Sequence, residues 1–150
     1  RAISTDTCVP ISRLAECLLE SVREADEMGV TYFLVGHVGD GNFHFGYLID
    51  PHEPAQRERA ELLNARLVAR AIRLDGTCSG EHGIGMHKMD FLMQEAGLPA
   101  VELMRAIKRV FDPQNILNPG KVLWGADEPG TPRRSWAPDA TVDNGSNGYS

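Results

Sequence analysis

The sequence predicts an α+β domain of ferredoxin-like, cap-type layout, a small and mostly antiparallel sheet with helices packed on one face. Three observations predict it. β-favouring runs and amphipathic runs follow one another in the order strand, helix, strand, strand, helix. The two adjacent strands flank Asp40-Gly41, a strong hairpin-turn signal. The chain has 150 residues, 42% hydrophobic and 24% charged, enough for one domain with a sizeable core.

The elements follow in order. Thr5 to Val9 is short and β-favouring, and Pro10 ends it. From Ile11 to Met28 the apolar residues Ile11, Leu14, Leu18, Val22, Ala25 and Met28 recur at helical spacing, and Gly29 stops the helix. Thr31 to Val38 (TYFLVGHV) and Phe43 to Ile49 (FHFGYLI) read as strands. Pro54 lies near the start of a long helix with Ala60, Leu63, Leu67, Ala71 and Leu74 on one face, ended by Gly76. After a glycine-rich loop come a short helix from Lys88 to about Glu95 and another from about Pro99 to Phe111. Asn115 to Val122 reads as an ordered loop or short strand. The domain is expected to span 1–124. Residues 125–150, rich in Pro, Gly, Ser and Asn, are expected to form a flexible tail.

Composition narrows the function. A formal net charge of −6 argues against nucleic acid or anionic lipid as the main partner, and no stretch has the apolar length of a membrane helix. The three cysteines, Cys8, Cys17 and Cys78, form no C-x-x-C pair and read as reduced thiols of a cytosol-like compartment. Cys17 falls on a helical apolar stripe and should be buried. For Cys78 a packing role is favoured over a reactive one. The chain begins at Arg1 without an initiator Met, so a processed form or an excised piece of a larger protein is expected.

The strongest chemical signal is His37-Val-Gly-Asp-Gly-Asn-Phe-His44. With Asp40-Gly41 as a two-residue turn, His37 would stand directly opposite His44, their Cβ atoms roughly 4.5–5.5 Å apart on one face. Two imidazoles so placed can chelate one metal ion. A third ligand is then wanted, and Glu81 in Ser79-Gly-Glu-His-Gly-Ile-Gly85 is the natural candidate, because the glycines let its backbone approach closely. His82 would then be free for proton transfer. Other residues read as structural. His52 sits in a solvated loop, His87 lies near a helix start, Asp40 and Asn42 stabilise the turn, and Arg66 and Arg70 look like a solvated helix face. SGEHGIG lacks the G-x-G-x-x-G order and no strand precedes it, so it is not a dinucleotide fingerprint.

Three separated motifs, HVGDGNFH, GTCSGEHGIGMHK and LMRAIKRVFDPQNILNPGKVL, occur in an order that resembles the C-terminal portion of FAD-linked oxidases. The branch resembled contains cytochrome-type D-lactate dehydrogenase and the glycolate oxidase FAD-binding subunit, and the resemblance extends from about Asp6 to Leu123. It implies that His37, His44 and Glu81 bind a divalent metal, zinc or manganese, and that His82 is the base removing the substrate hydroxyl proton. It implies oxidation of a small D-2-hydroxy acid to the 2-oxo acid, with hydride passing to FAD. It also implies that FAD is held mainly by an N-terminal domain, which nothing in this chain matches. Asn118, in the NPGK stretch, is where contact with FAD is expected. Relatives acting on D-2-hydroxyglutarate tend to carry Asn two residues beyond the second histidine. Gly46 stands there, which favours a smaller acid such as lactate or glycolate.

The alternatives are a non-catalytic divalent-metal or docking module and a metal hydrolase, the latter disfavoured because H-E-x-x-H is missing. A cytoplasmic location is expected, peripheral at a membrane in one variant and mitochondrial in a eukaryote. An exposed sheet edge would allow a homodimer.

Overall fold

The central strand alternates large apolar side chains with small or polar ones, and that alternation builds the core. The structure, a computed structural model, describes residues 1–123. Its elements are β1 (Ala2–Ser4), β2 (Thr7–Cys8), α1 (Ile11–Glu27), β3 (Tyr32–His37), β4 (Asn42–Leu48), α2 (Pro54–Arg73) and α3 (Met89–Phe111). In β4, Phe43, Phe45 and Tyr47 all point to one face and are buried. Against them pack Leu14, Cys17 and Ala25 of α1 with Ala60, Leu63, Leu67 and Ala71 of α2. A second cluster, Ala65, Val68, Cys78 and Phe91, joins α2 to the loop after it and to α3. The other face of the sheet carries Asp6, His37 and His44.

The sheet is wholly antiparallel, with β4 in the middle. One edge is β3. The other is shared end to end by β1, paired with residues 46–48, and β2, paired with residues 42 and 43. Both short strands keep the same register on β4, since Ser4 faces Gly46 and Thr7 faces Phe43. They are one edge strand interrupted at Thr5-Asp6. The sequence showed no β1, because a three-residue strand has no periodicity of its own and exists only through its pairing.

The hairpin differs from its expected form. His37 pairs with Asn42, and His44 pairs with Val35, so the histidines are diagonal neighbours instead of direct partners. The connection is a 3₁₀ turn over Val38–Asp40 followed by Gly41 in the left-handed region (φ 72°). A tertiary contact explains this. Gly41 O accepts the Val9 N–H (3.0 Å), and a Cβ on Gly41 would lie 2.0 Å from Val9 O. That approach fixes the loop where a two-residue turn would not reach.

α3 is broken at Gly97 (φ 76°), two residues before Pro99, which matches the two helices expected there. Asn115 to Val122 forms turns, not a strand. Asp112 ends the helix: its carboxylate takes Lys108 Nζ and the N–H groups of Ile116 and Leu117. The expected tail, 125–150, lies outside the described residues.

Arg70 corrects the expectation of a solvated arginine face. Arg66 remains half-exposed, but Arg70 is 5% exposed and crosses from α2 to α1, donating to Glu20 Oε2 (2.7 Å), Ser21 Oγ (2.7 Å) and Glu24 Oε2 (2.6 Å). Breaking a buried ion pair typically costs about 3–5 kcal/mol. Glu20 and Glu24 keep some contact with water, so about 2–3 kcal/mol is expected for Arg70→Ala. A urea transition would register it as a lower midpoint, and an unchanged midpoint would contradict it.

Candidate metal centre

Three elements converge on the sheet face that the helices leave open. β3 ends on His37, β4 carries His44 two residues into its run, and the loop after α2 brings Glu81 over both. Glu81 Oε2 lies 3.6 Å from His37 Nε2, and Glu81 Oε1 lies 3.2 Å from His44 Nε2. The ring centroids of His37 and His44 are 6.4 Å apart, nearly perpendicular. Diagonal pairs across an antiparallel ladder remain within reach of long side chains. The displacement from the expected register is two residues, so both rings stay on one face, whereas a slip of one would have separated them.

One potential donor atom from each of His37, His44 and Glu81 can be chosen so that all lie within 4.8 Å of one another. Two ligands of a tetrahedral zinc, each about 2.0–2.1 Å from the metal, sit roughly 3.3 Å apart. The donor set of two imidazoles and a carboxylate therefore fits a divalent cation such as zinc or manganese. His44 is also oriented for it. Its Nδ1 is 3.2 Å from Thr5 O, which selects the tautomer protonated there and leaves the Nε2 lone pair facing Glu81.

His82 stands beside the three without joining them. Its side chain is 72% exposed, its Nε2 is 3.5 Å from Glu81 Oε1, and its ring centroid is 5.7 Å from that of His44. Asn118 stands elsewhere, exposed at a left-handed φ of 48° in the turns after α3. That segment is tied to the glycine loop by Val122 N–H to Gly85 O (2.7 Å).

Sequence reasoning missed Asp6. It is 6% exposed, and its carboxylate accepts Asn42 Nδ2 (2.9 Å), Glu81 N–H (3.2 Å), His82 N–H (2.9 Å) and Lys88 Nζ (3.2 Å). Burial pushes its pKa up, but the Asn42 amide, the His82 N–H and the Lys88 charge outweigh that and hold it below the ordinary aspartate value. Gly80 permits the approach. A Cβ there would lie 1.9 Å from Asp6 Oδ1, and its φ of 53° is left-handed as well. A lone Asp between two short strands carries no motif, so only the fold reveals it.

The remaining expected residues are structural. Cys78 is buried, and burial together with the Glu95 carboxylate pushes its thiol up to about 12, which leaves it an inert packing residue. Cys17 is buried on the α1 stripe, as expected. Asn42 ties the turn region to Asp6 and Thr7 O. His52 and His87 are exposed. No helix among the described residues is long and apolar enough to cross a membrane.

The profile of the family described as FAD linked oxidases, C-terminal domain, matches residues 1–122. The chain is similar to the probable mitochondrial D-lactate dehydrogenase of Danio rerio, 46% identical over 123 residues, covering 82% of this chain and 25% of the relative. It is 45% identical over 122 residues to the mitochondrial D-lactate dehydrogenase [cytochrome] of Arabidopsis thaliana, covering 81% of this chain and 22% of that protein. It is 37% identical over 121 residues to the glycolate oxidase subunit GlcD of Bacillus subtilis, covering 81% and 26%. The chain thus spans about a quarter or less of the length of these two dehydrogenases. With a profile match over most of its length, this chain belongs to the family of FAD linked oxidases, C-terminal domain.

Proposed function

We propose that this chain is the metal- and base-bearing C-terminal part of an FAD-dependent D-2-hydroxy acid dehydrogenase. It would act on small acids of the D-lactate or glycolate kind, with FAD held mainly by a domain outside this chain. The observation that carries the reading is the convergence of His37, His44 and Glu81 with His82 alongside, in a member of this family.

When bound, a divalent cation supplies Lewis acidity toward the hydroxyl and carboxylate oxygens of the acid, and flavin supplies the hydride acceptor. His37, His44 and Glu81 are the residues that would hold the cation. His82 takes the hydroxyl proton at a ring nitrogen as the Cα hydride leaves, so the C–O bond becomes a carbonyl. Glu81 Oε1 lies 3.5 Å from Nε2 of the ring that takes the proton.

Phe33 supports a small substrate. It is paired with Gly46, and its ring covers that residue so closely that a Cβ there would lie 2.0 Å from Phe33 Cζ. Position 46, two residues from His44, thus offers an aromatic face and no amide to a second carboxylate.

The test uses the complete enzyme, this chain together with its flavin-binding portion, loaded with zinc or manganese and kept free of oxygen. D-lactate or glycolate should bleach the flavin absorbance, and prior chelation should abolish the bleaching. A metal-replete, flavin-replete enzyme that neither acid reduces would remove the reading. If chelation lowers the melting temperature but leaves flavin reduction intact where the protein stays folded, the site is a structural one.

A further inference from the structure

The interruption of the edge strand falls where the site needs it. In a regular antiparallel ladder Thr5 and Phe45 would exchange two backbone hydrogen bonds. Only one is made that way, from Thr5 N–H to Phe45 O (2.8 Å). The reciprocal Phe45 N–H is taken by the Thr5 hydroxyl, Oγ1, at 2.8 Å. The side chain substitutes for the backbone carbonyl, and Thr5 O is released to accept His44 Nδ1. The next residue, Asp6, receives the consecutive N–H groups of Glu81 and His82 on its carboxylate, whose Oδ1 also lies 3.5 Å from His44 Nδ1. Lys88 Nζ closes the arrangement by donating to Asp6 O (2.7 Å), Asp6 Oδ2 and Ser79 O (3.0 Å).

We propose that Thr5 and Asp6 are the positioning residues of this centre, a two-residue clamp that sets the tautomer of His44 and holds the Glu81-His82 loop over it. The clamp rests on the reading that His37, His44 and Glu81 hold a cation, and it adds how Glu81, 37 positions from His44 and 75 from Asp6, is kept in register with them. Thr5 acts through His44, which must present an unprotonated Nε2. Asp6 acts through the two loop amides, which set where the Glu81 carboxylate and the His82 ring begin. Neither belongs to the His37, His44 and Glu81 cluster. Partners of this kind typically change metal affinity by about 10–100-fold when removed.

The two halves of the clamp have separable signatures. Asp6→Asn keeps the volume but turns an N–H₂ toward groups that are themselves donors. Thr5→Val keeps the shape and strands the Phe45 N–H, so Thr5 O is drawn back to the ladder, while Thr5→Ser retains the hydroxyl. In the complete enzyme, zinc affinity is measured by competition with a chromophoric chelator, and hydrogen exchange is followed by mass spectrometry on peptides covering 79–85. Asp6→Asn should weaken zinc binding about 10–100-fold and speed exchange in that loop. Thr5→Val should weaken zinc binding without speeding loop exchange, and Thr5→Ser should restore the affinity.

A folded Asp6→Asn protein with wild-type zinc affinity and wild-type loop exchange would overturn the clamp, as would equal affinities for Thr5→Val and Thr5→Ser, both reduced. If Asp6→Asn does not fold, the Thr5 pair decides. Should the wild type itself fail to bind zinc, the metal reading falls, and loop exchange alone decides whether Asp6 positions the loop.

Discussion

His82→Gln in the complete enzyme lowers turnover by about 10²–10⁴-fold while zinc affinity and bound flavin stay at wild-type levels. That range is what a positioned general base contributes. The separation is expected because His82 is exposed and lies outside the three-residue cluster, with Glu81 Oε1 3.5 Å from its Nε2. Its backbone N–H is held by Asp6 (2.9 Å), and the substitution leaves that bond in place. The loop therefore keeps its path, and only the group proposed to accept the hydroxyl proton is lost. The loss should fall on kcat and kcat/KM together, since the base acts as the transition state forms. Full turnover by this variant would end the assignment, and loss of zinc along with activity would recast His82 as a ligand.

Glu81→Gln has the complementary outcome, with zinc affinity reduced by at least about 100-fold, beyond what loss of an outer partner causes. The carboxylate is the one anionic donor of the set, and its two oxygens face different rings, His37 at 3.6 Å and His44 at 3.2 Å. A carboxamide keeps one oxygen and turns an N–H₂ toward the other imidazole, so charge neutralisation and one arm of the contact go together. Chelation of the wild type should produce the same loss of flavin reduction by D-lactate. Dialysis against a graded zinc buffer with metal analysis measures the affinity directly. An unchanged zinc content in Glu81→Gln would show that the cation, if held, is held without this residue.

The two predictions separate roles that adjacent residues could share. Glu81 and His82 are neighbours in sequence, but their backbone N–H groups bind different oxygens of Asp6 and their side chains end in different surroundings. Glu81 reaches between two rings, whereas His82 projects toward solvent from the same loop.

Much of this was legible in the residues, and the rest was not, for reasons that differ by element. The helices were legible because an apolar stripe at helical spacing and a Pro or Gly at either end are local properties, as Leu14, Cys17 and Ala25 of α1 illustrate. The pairing of β3 with β4 was legible for the same reason. Its register was not, because the turn is set by Gly41 meeting Val9, a contact made across the fold. The candidate ligands survived that error, since a two-residue displacement preserves the face of a strand. Arg70 was misread because a charged residue on a helix looks solvated until a second helix supplies Glu20 and Glu24.

The sequence by itself determined the helices, the alternation of β4 and the residue types of the centre, because each is written within a few neighbouring positions. Only the tertiary structure decided that Glu81 arrives over His37 and His44, that Thr5 O meets His44 Nδ1 and that Asp6 receives the Glu81 and His82 N–H groups. The physical reason is that these meetings depend on hydrogen bonds between residues tens of positions apart, whose geometry exists only once the sheet has formed and the edge strand has opened at Thr5.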